Sequence, residues 1–330
     1  MRAVIQPDKA SHKLTLSEQP IPVPHHPDDV LIRVQATSPC SGELDWALWA
    51  PDFVGDKVPI PGQDMAGTVV SAPESSKFSA GDEVYCRITA NRPGAAAEYT
   101  LARVSELALK PKNQSWTEAA ATPLSALTAY QALFVQGNLD VEALKGEEKA
   151  RRSNGEKRVL ITAAAGSVGS WAVQLAKLAG AGAIVAVNGT NNVEFVRRLG
   201  ATEVVDYHKQ NVAEWASQDI AERQVDLVVD CVGGQTLAHC WIAVKEDGRF
   251  ISICGQPEES KPAGVEKKDV HALWFVMESL GKNLDMVTEL IEDGRARPVI
   301  DSVVEFKDFE QAWEKVESRH ARGKVVLKVA

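Results

Sequence analysis

Val159-Leu160-Ile161-Thr162-Ala163-Ala164-Ala165-Gly166-Ser167-Val168-Gly169 is the stretch that decides how this chain folds. An apolar run of strand length ends at Thr162, small residues follow, and a helix-forming segment begins at once. Val168, Ala172, Leu175 and Ala179 then recur on one helical face. A strand, a turn of small residues and a helix together form the context of a dinucleotide fingerprint. Backbone N–H groups and the positive helix end would face a pyrophosphate there, and bulkier side chains would block its approach. The strict pattern is G-x-G-x-x-G. Ala164 stands at the first glycine position, with Gly166 and Gly169 at the other two.

Downstream, Ala183 to Val187, Glu203 to Asp206, Asp226 to Asp230 and Arg249 to Ile253 are further short apolar runs with helical segments between them. Strands that are apolar throughout and alternate with helices predict a parallel sheet covered on both faces, a doubly wound α/β domain of Rossmann type. Upstream the texture differs. From Met1 to about Lys112, short strands such as Val30 to Val34 and Ala66 to Val70 are punctuated by Pro and Gly, and Ser79 to Tyr85 reads as a turn and a strand. That is a mainly β domain. Thr117 to Phe134 is Ala-rich and helix-forming despite Pro123, while Glu142 to Lys157, dense in Lys, Arg and Glu, reads as a solvated loop. After Pro257 come a helix near Asn283 to Glu292, a strand near Pro298 to Phe306, a helix near Phe309 to Glu317 and a strand from Lys324 to Val329. These pieces either finish the parallel sheet or return to the first domain.

The bulk numbers exclude several classes. With 330 residues, 45% hydrophobic and 25% charged, the chain has the composition of a globular protein with room for two domains. A net charge of −9 disfavours nucleic acid or an anionic membrane as partner. No apolar run approaches the roughly 18 residues that span a bilayer, and the first residues lead straight into polar sequence. A soluble, reducing compartment is expected, with the cytoplasm as the plainest choice. The five cysteines are scattered and form no C-x-x-C pair, so neither a disulfide framework nor a zinc ribbon is indicated.

Cofactor preference is read at the end of the second strand. NAD sites carry an Asp or Glu about 20 residues beyond the fingerprint to bind the ribose 2′-OH. Here Asn188-Gly189-Thr190-Asn191-Asn192 follows the strand, with no acid. A carboxylate would repel a 2′-phosphate, so its absence favours NADPH over NADH, with Asn188, Thr190 and Asn191 as hydrogen-bonding candidates. Arg197 and Arg198 are the nearest strong cations, equally suited to a solvent-facing role.

With these residues in place, the chain resembles the medium-chain dehydrogenase/reductase superfamily, in particular its zinc-independent quinone oxidoreductase and enoyl reductase branch. Pro61-Gly62-Gln63-Asp64-Met65-Ala66-Gly67-Thr68-Val69 is similar to the family's P-G-x-[DE]-x-A-G-x-V. Gly81-Asp82-Glu83-Val84, Ala97-Glu98-Tyr99, Ala120 to Leu133, Gln174 to Lys177, Leu199-Gly200-Ala201, Val204 to Tyr207 and Gly323-Lys324-Val325-Val326-Leu327 follow in the family's order. The likeness spans essentially the whole chain. It implies a GroES-like catalytic domain from residues 1–118 and 260–330, with the C-terminal segment returning to it, and a Rossmann domain at 119–259. It also implies a cofactor lying in a cleft. The fingerprint residues Ala164, Gly166, Ser167, Val168 and Gly169 would hold its pyrophosphate. Thr128 would lie near the carboxamide, Val232 and Gly233 near the nicotinamide ribose, and Ile253 near the ring. Tyr207 would lie towards the adenosine, and Lys324 would join the cofactor contacts.

Zinc members of the superfamily read C-G-x-D near residue 40 and G-H-E near residue 62. Here Cys40 is retained, Gln63 replaces the histidine, and Thr122 to Ser125 offers no third ligand. About three protein ligands make a catalytic zinc site, so no zinc is expected. Without a Lewis acid, alcohol oxidation is disfavoured, and conjugate reduction of an enone or quinone is the expected reaction, needing only donors for the enolate oxygen. Cys40, Ser41, Asp45 and Gln63 are the catalytic-pocket candidates. Trp46, Trp49 and Phe53, which stand where some relatives carry a tyrosine, form either a packed apolar loop or, with Ser125, a substrate wall. A reductase dedicated to one pathway intermediate and a non-catalytic NADPH-binding protein are the alternatives. A homodimer could form through an edge strand at Arg249 to Ile253.

Overall fold

The computed structural model describes all 330 residues, which divide into two compact units. One comprises Met1–Leu127 with Glu278–Ala330, and the other is Thr128–Met277.

The second unit is built on six parallel strands. Their spatial order is Glu203–Asp206, Ala183–Asn188, Arg158–Ile161, Val225–Asp230, Val244–Ser252 and His271–Trp274. Numbered along the chain this is 3-2-1-4-5-6, the Rossmann order, whose reversal beside the first strand opens a ligand site at the carboxyl ends. Every residue of Ala183–Asn188 is buried, as a strand covered on both faces requires. On one face Trp241 and Phe250 are fully buried, their ring centroids 5.2 Å apart. Such a pair contributes about 0.5–1.5 kcal/mol beyond its buried area.

Arg249 to Ile253 is not an edge. It belongs to Val244–Ser252, which is paired on both sides, and the outer strand beyond it is His271–Trp274. A dimer through an edge of this sheet would therefore use one of the two outer strands, His271–Trp274 or Glu203–Asp206. His271–Trp274 also moves the division between the units away from residue 259, because it pairs in register with Val244–Ser252.

Glu142 to Lys157 is not a loop either. Val141–Lys145 forms a short 3-10 turn and Glu148–Gly155 an α-helix. The reason is capping rather than an apolar stripe. Asp140 accepts from the N–H of Glu142 and Glu147 from that of Lys149. Asn154, fully buried, binds Asp140 through both backbone groups and donates to the Ala179 carbonyl at 2.9 Å. Pro123 also breaks the helix expected from Thr117 onward. Trp116–Ala120 stops, and Pro123–Tyr130 restarts with proline in its first turn, where its missing N–H costs nothing.

The first unit carries a seven-stranded sheet. Its order is Ile300–Glu305, Lys324–Lys328, Asp29–Ser38, Asp64–Ser71, Glu83–Arg87 and Ala108–Leu109, with Tyr99–Arg103 also paired to Asp29–Ser38. Lys324–Lys328 runs antiparallel to Asp29–Ser38 and parallel to Ile300–Glu305. The C-terminal segment thus returns to the first domain. This register places Lys324, Pro39 and Asp64 at one end of three neighbouring strands.

Candidate functional site

In the Rossmann unit, three strand ends are tied together by Asp230. It accepts from Thr162 Oγ1 at 2.8 Å, Ser252 Oγ at 3.0 Å and the N–H groups of Val232 and Gly233 at 3.3 and 3.0 Å. Burial pushes its carboxyl up, and these hydrogen bonds oppose that rise. Sequence reading missed Asp230; the signal was a carboxylate closing an otherwise apolar strand.

The turn after Ile161 is held by the same network, since Thr162 Oγ1 accepts from the N–H of Cys231 at 2.7 Å. Ala163, not Ala164, takes the left-handed conformation, with φ at 46°. Ala164 lies within the turn and is tied to the neighbouring strand, its N–H donating to Val187 O at 3.2 Å. Gly169 faces the turn so closely that a Cβ there would sit 2.3 Å from the Ala163 carbonyl oxygen and 2.7 Å from Ala164 Cα. This glycine lets helix Ser167–Leu178 pack onto its strand. The helix has no side-chain cap at Gly166, so the first-turn N–H groups of Ser167, Val168 and Gly169 present the positive end of a 12-residue helix. These features fit a bound pyrophosphate.

Beyond the second strand, Asn188 is buried, with Nδ2 on Gly189 O at 3.0 Å and Oδ1 without a partner. Thr190 Oγ1 donates to Asp206 Oδ2 at 2.7 Å, which holds that carboxyl below its usual range. Asn191 lies in the exposed turn Thr190–Asn192. Tyr207 is 58% exposed and leans on His208, ring centroids 4.5 Å apart, and both rings cover Gly189. His208 was also missed, because a lone histidine after a strand carries no motif. Arg197 is turned to Glu194 on its own helix at 3.1 Å. Val232 is half-exposed and Gly233 has φ of 78°, so the loop between Asp230 and helix Gly234–Ala243 is backbone-lined. Ile253 N–H binds Asp230 O at 3.0 Å, and Thr128 is buried.

The first unit gathers the other candidates around a buried ion pair. Lys324 Nζ lies 2.8 Å from Asp64 Oδ2 and donates to Pro39 O at 3.1 Å. Asp64 Oδ1 accepts the N–H of Leu124 at 2.6 Å. Arg87 is paired opposite Asp64 across the sheet, almost fully buried. Lys324, which the resemblance places among the cofactor contacts, is held here by a carboxylate and a carbonyl of its own unit. Burial works against its charge, but the Asp64 carboxylate beside it holds its pKa above the ordinary lysine value. Ser125 Oγ and Gln63 Oε1 are buried without partners.

The remaining candidates separate. Burial pushes the Cys40 thiol up to about 12, so it is a neutral thiol. Ser41 is exposed, and Asp45 is engaged by His12 at 2.7 Å, whose imidazole is raised chiefly by that hydrogen bond. The expected loop is two short helices, Trp46–Trp49 and Pro51–Val54, on which Trp49 and Phe53 are 70% and 45% exposed rather than packed; Trp46 lines a cavity of about 40 Å³ with Glu43, Lys57 and Gln63.

Glu43 is a further residue that the sequence concealed. Its carboxylate accepts from the Gly62 N–H at 3.1 Å and from Trp313 Nε1 at 2.9 Å. Burial outweighs these bonds and raises its pKa from 4.5 to about 7. The folded protein therefore holds this proton more tightly than the unfolded chain, and stability falls as pH rises from about 4.5 through about 7. The span corresponds to up to about 3 kcal/mol. In Glu43→Gln this decline is expected to vanish when urea unfolding is compared at about pH 5 and about pH 8. An unchanged pH slope in the variant would show that another group carries it.

The donor set does not fit a zinc ion. One neutral thiol, an amide and a hydroxyl stand in place of ligands, and the nearby Asp64 carboxylate is held by a lysine. No group of three His, Cys, Asp or Glu side chains is placed to hold a metal.

Two family models match the chain. "Alcohol dehydrogenase GroES-like domain" covers residues 26–112, and "Zinc-binding dehydrogenase" covers residues 199–327. A protein of Arthroderma benhamiae named "Probable zinc-binding oxidoreductase, mitochondrial" is 47% identical over 98% of this chain and 96% of its own length. The "Chloroplast envelope quinone oxidoreductase homolog" of Arabidopsis thaliana is 33% identical over 93% of this chain and 92% of its own length. The solved quinone oxidoreductase of Coxiella burnetii superposes with a TM-score of 0.80 at 25% identity, covering 100% of this chain and 99% of that one. The chain belongs to the medium-chain dehydrogenase/reductase superfamily of oxidoreductases. Within it, its relatives place it with proteins of the quinone oxidoreductase type.

Proposed function

We propose that the protein is an NADPH-dependent, zinc-independent reductase of small enones or quinones. The observation that carries this reading is a pair of features in one chain: an uncapped helix behind a pyrophosphate-sized turn, and a lysine–aspartate pair where relatives of another branch would bind a metal. Ser167, Val168 and Gly169 would hold the pyrophosphate through their N–H groups, and Gly189, Tyr207 and His208 would receive the adenosine. NADPH is preferred because no acid closes the second strand, and Asp206, paired with Asn188 on the adjoining strand, is already bound by Thr190 and lies 3.6 Å from Lys209. When bound, the nicotinamide supplies a hydride. The chain's own residues then have to orient the acceptor and stabilise charge on its oxygen, a task for hydrogen-bond donors.

Relatives bear mitochondrial and chloroplastic names, so they lend no support to a cytoplasmic location. No helix is long and apolar enough to cross a membrane.

The test is NADPH oxidation by chelator-treated protein, offered quinones, α,β-unsaturated ketones and simple alcohols with NADP. Turnover is expected with the first two classes and not with alcohols, at a kcat/KM for NADPH at least about tenfold above that for NADH. Activity that chelator abolishes, or alcohol oxidation as the principal reaction, contradicts the reading.

A further inference from the structure

We propose that Cys231 and Cys254 form an oxidation site: a hydroperoxide oxidises Cys254, Cys231 closes on it, and the disulfide clamps the loop that follows their two strands. The site lies within the Rossmann unit, and only its expected effect on NADPH binding rests on the reductase reading above.

The sheet brings the two residues together. Val225–Asp230 and Val244–Ser252 are neighbouring parallel strands, with Asp230 opposite Ser252. The pairing continues one residue further, since the Ile253 N–H donates to Asp230 O at 3.0 Å. Cys231 and Cys254 therefore leave adjacent strand ends, offset by one residue. With strands about 4.8 Å apart and a rise of about 3.3 Å per residue, a sheet continued that far puts their Cα atoms about 6 Å apart. A disulfide needs roughly 4.4–6.8 Å. Two contacts agree with this placement. A Cβ on Gly233, two residues after Cys231, would meet Cys254 Cβ at 3.1 Å and its carbonyl oxygen at 3.3 Å, so the loop after Cys231 lies against Cys254. Burial pushes the Cys231 thiol up, and Cys254 adds more to that rise than Asp230, the residue next to Cys231 in the chain.

The two thiols are suited to different roles. Cys254 is exposed, Cys231 is partly buried, and neither is in a disulfide. Cys254 abuts Gly233, the N-cap of the ten-residue helix Gly234–Ala243, which has no side-chain cap. The positive end of a helix favours an anion beside it, and the thiolate is the reactive form of cysteine. Cys254 is thus the sulfur that an oxidant reaches, and Cys231 is the partner that resolves it. Gly233 and Gly234, with φ of 78° and 54°, give the loop between them backbone freedom to close.

The chemistry balances. The Cys254 sulfur attacks the O–O bond of the hydroperoxide, an S–O bond forms, and hydroxide or alkoxide leaves. Sulfur loses two electrons and the peroxide gains them. The Cys231 sulfur then attacks the sulfenic acid, the S–S bond forms as the S–O bond breaks, and the thiol proton leaves with the hydroxide as water. The cross-link fixes Val232 and Gly233, which the reductase reading places at the nicotinamide ribose.

The experiment treats the whole reduced protein with hydrogen peroxide, then reads intact mass, peptide masses and NADPH titration by fluorescence. Wild type is expected to lose two hydrogens and to yield peptides joined through Cys231 and Cys254. It is also expected to bind NADPH about tenfold more weakly, until dithiothreitol restores it. Cys254→Ser is expected to form no cross-link and to keep its NADPH affinity through the same treatment. Cys231→Ser is expected to gain oxygens at Cys254 instead, because no thiol intercepts the sulfenic acid. Wild type that gains oxygens at Cys254 without a cross-link, or cross-linked protein with unchanged NADPH affinity, overturns the proposal. A cross-link through these two cysteines in a protein that binds no pyridine nucleotide even when reduced supports the oxidation site and sinks the reductase reading alone.

Discussion

Replacing Gly169 with alanine is expected to lower NADPH affinity about 100-fold, or roughly 2.7 kcal/mol, and to reduce thermal stability as well. The added Cβ would lie 2.3 Å from the Ala163 carbonyl oxygen, 2.7 Å from Ala164 Cα and 2.8 Å from the Ala163 carbonyl carbon. All three are backbone atoms, and no rotamer change relieves them. Ala163 already occupies a left-handed conformation, which costs a non-glycine residue about 1–2 kcal/mol. The strain must therefore be relieved by moving helix Ser167–Leu178 away from its strand. That shift displaces the N–H groups that face the pyrophosphate, and overpacking of this kind costs about 1–3 kcal/mol in stability. Gly155→Ala serves as the control, since a Cβ there meets nothing closer than 3.8 Å. Nucleotide titration by fluorescence and thermal unfolding read the two effects. Full NADPH affinity in the Gly169 variant would mean that the pyrophosphate binds elsewhere.

The second large effect is expected at Lys324. Truncation to alanine leaves Asp64 fully buried, with the Leu124 N–H as its remaining hydrogen bond and Arg87 across the sheet as the nearest cation. Removing one partner of a buried pair typically costs about 3–5 kcal/mol. The loss depends on pH in a definite direction. Burial already lifts the Asp64 carboxyl above its ordinary value, and Lys324 is the first charge opposing that lift. Without the lysine the folded pKa rises further, so the variant loses stability as pH increases through that value and regains it on acidification. Denaturant unfolding of Lys324→Ala at acidic and neutral pH measures this. Adding Asp64→Asn should restore most of the loss at neutral pH. A single variant as stable as wild type at all pH values would remove the pair from any structural role.

The sheet domain was legible because its signal is local. Strand, turn and helix around Gly166 and Gly169 are contiguous, and the other parallel strands are apolar throughout, so a doubly wound parallel sheet could be read from them. His271–Trp274 escaped notice because an edge strand is bare on one side and its residues are only partly buried. Glu148–Gly155 escaped for a different reason. Its only buried residues are Ala150 and Asn154, and the asparagine's hydrogen bonds to Asp140 and Ala179 are invisible in a charge count. The catalytic candidates were legible as types but not as partners. Cys40 and Gln63 were placed by pattern, whereas the Asp64–Lys324 contact joins two strands from opposite ends of the chain. Asp45 shows the converse case: a carboxylate in the right loop, taken by His12 from an earlier segment.

The most direct measurement is a titration of NADPH into chelator-treated, metal-free protein, followed by nucleotide fluorescence. Saturable binding is expected with a dissociation constant on the order of 1–100 μM, the range of common substrate affinities, and NADPH should bind more tightly than NADH. Absence of saturable binding by either nucleotide, or binding that returns only when zinc is restored, would contradict a metal-free pyridine-nucleotide reductase.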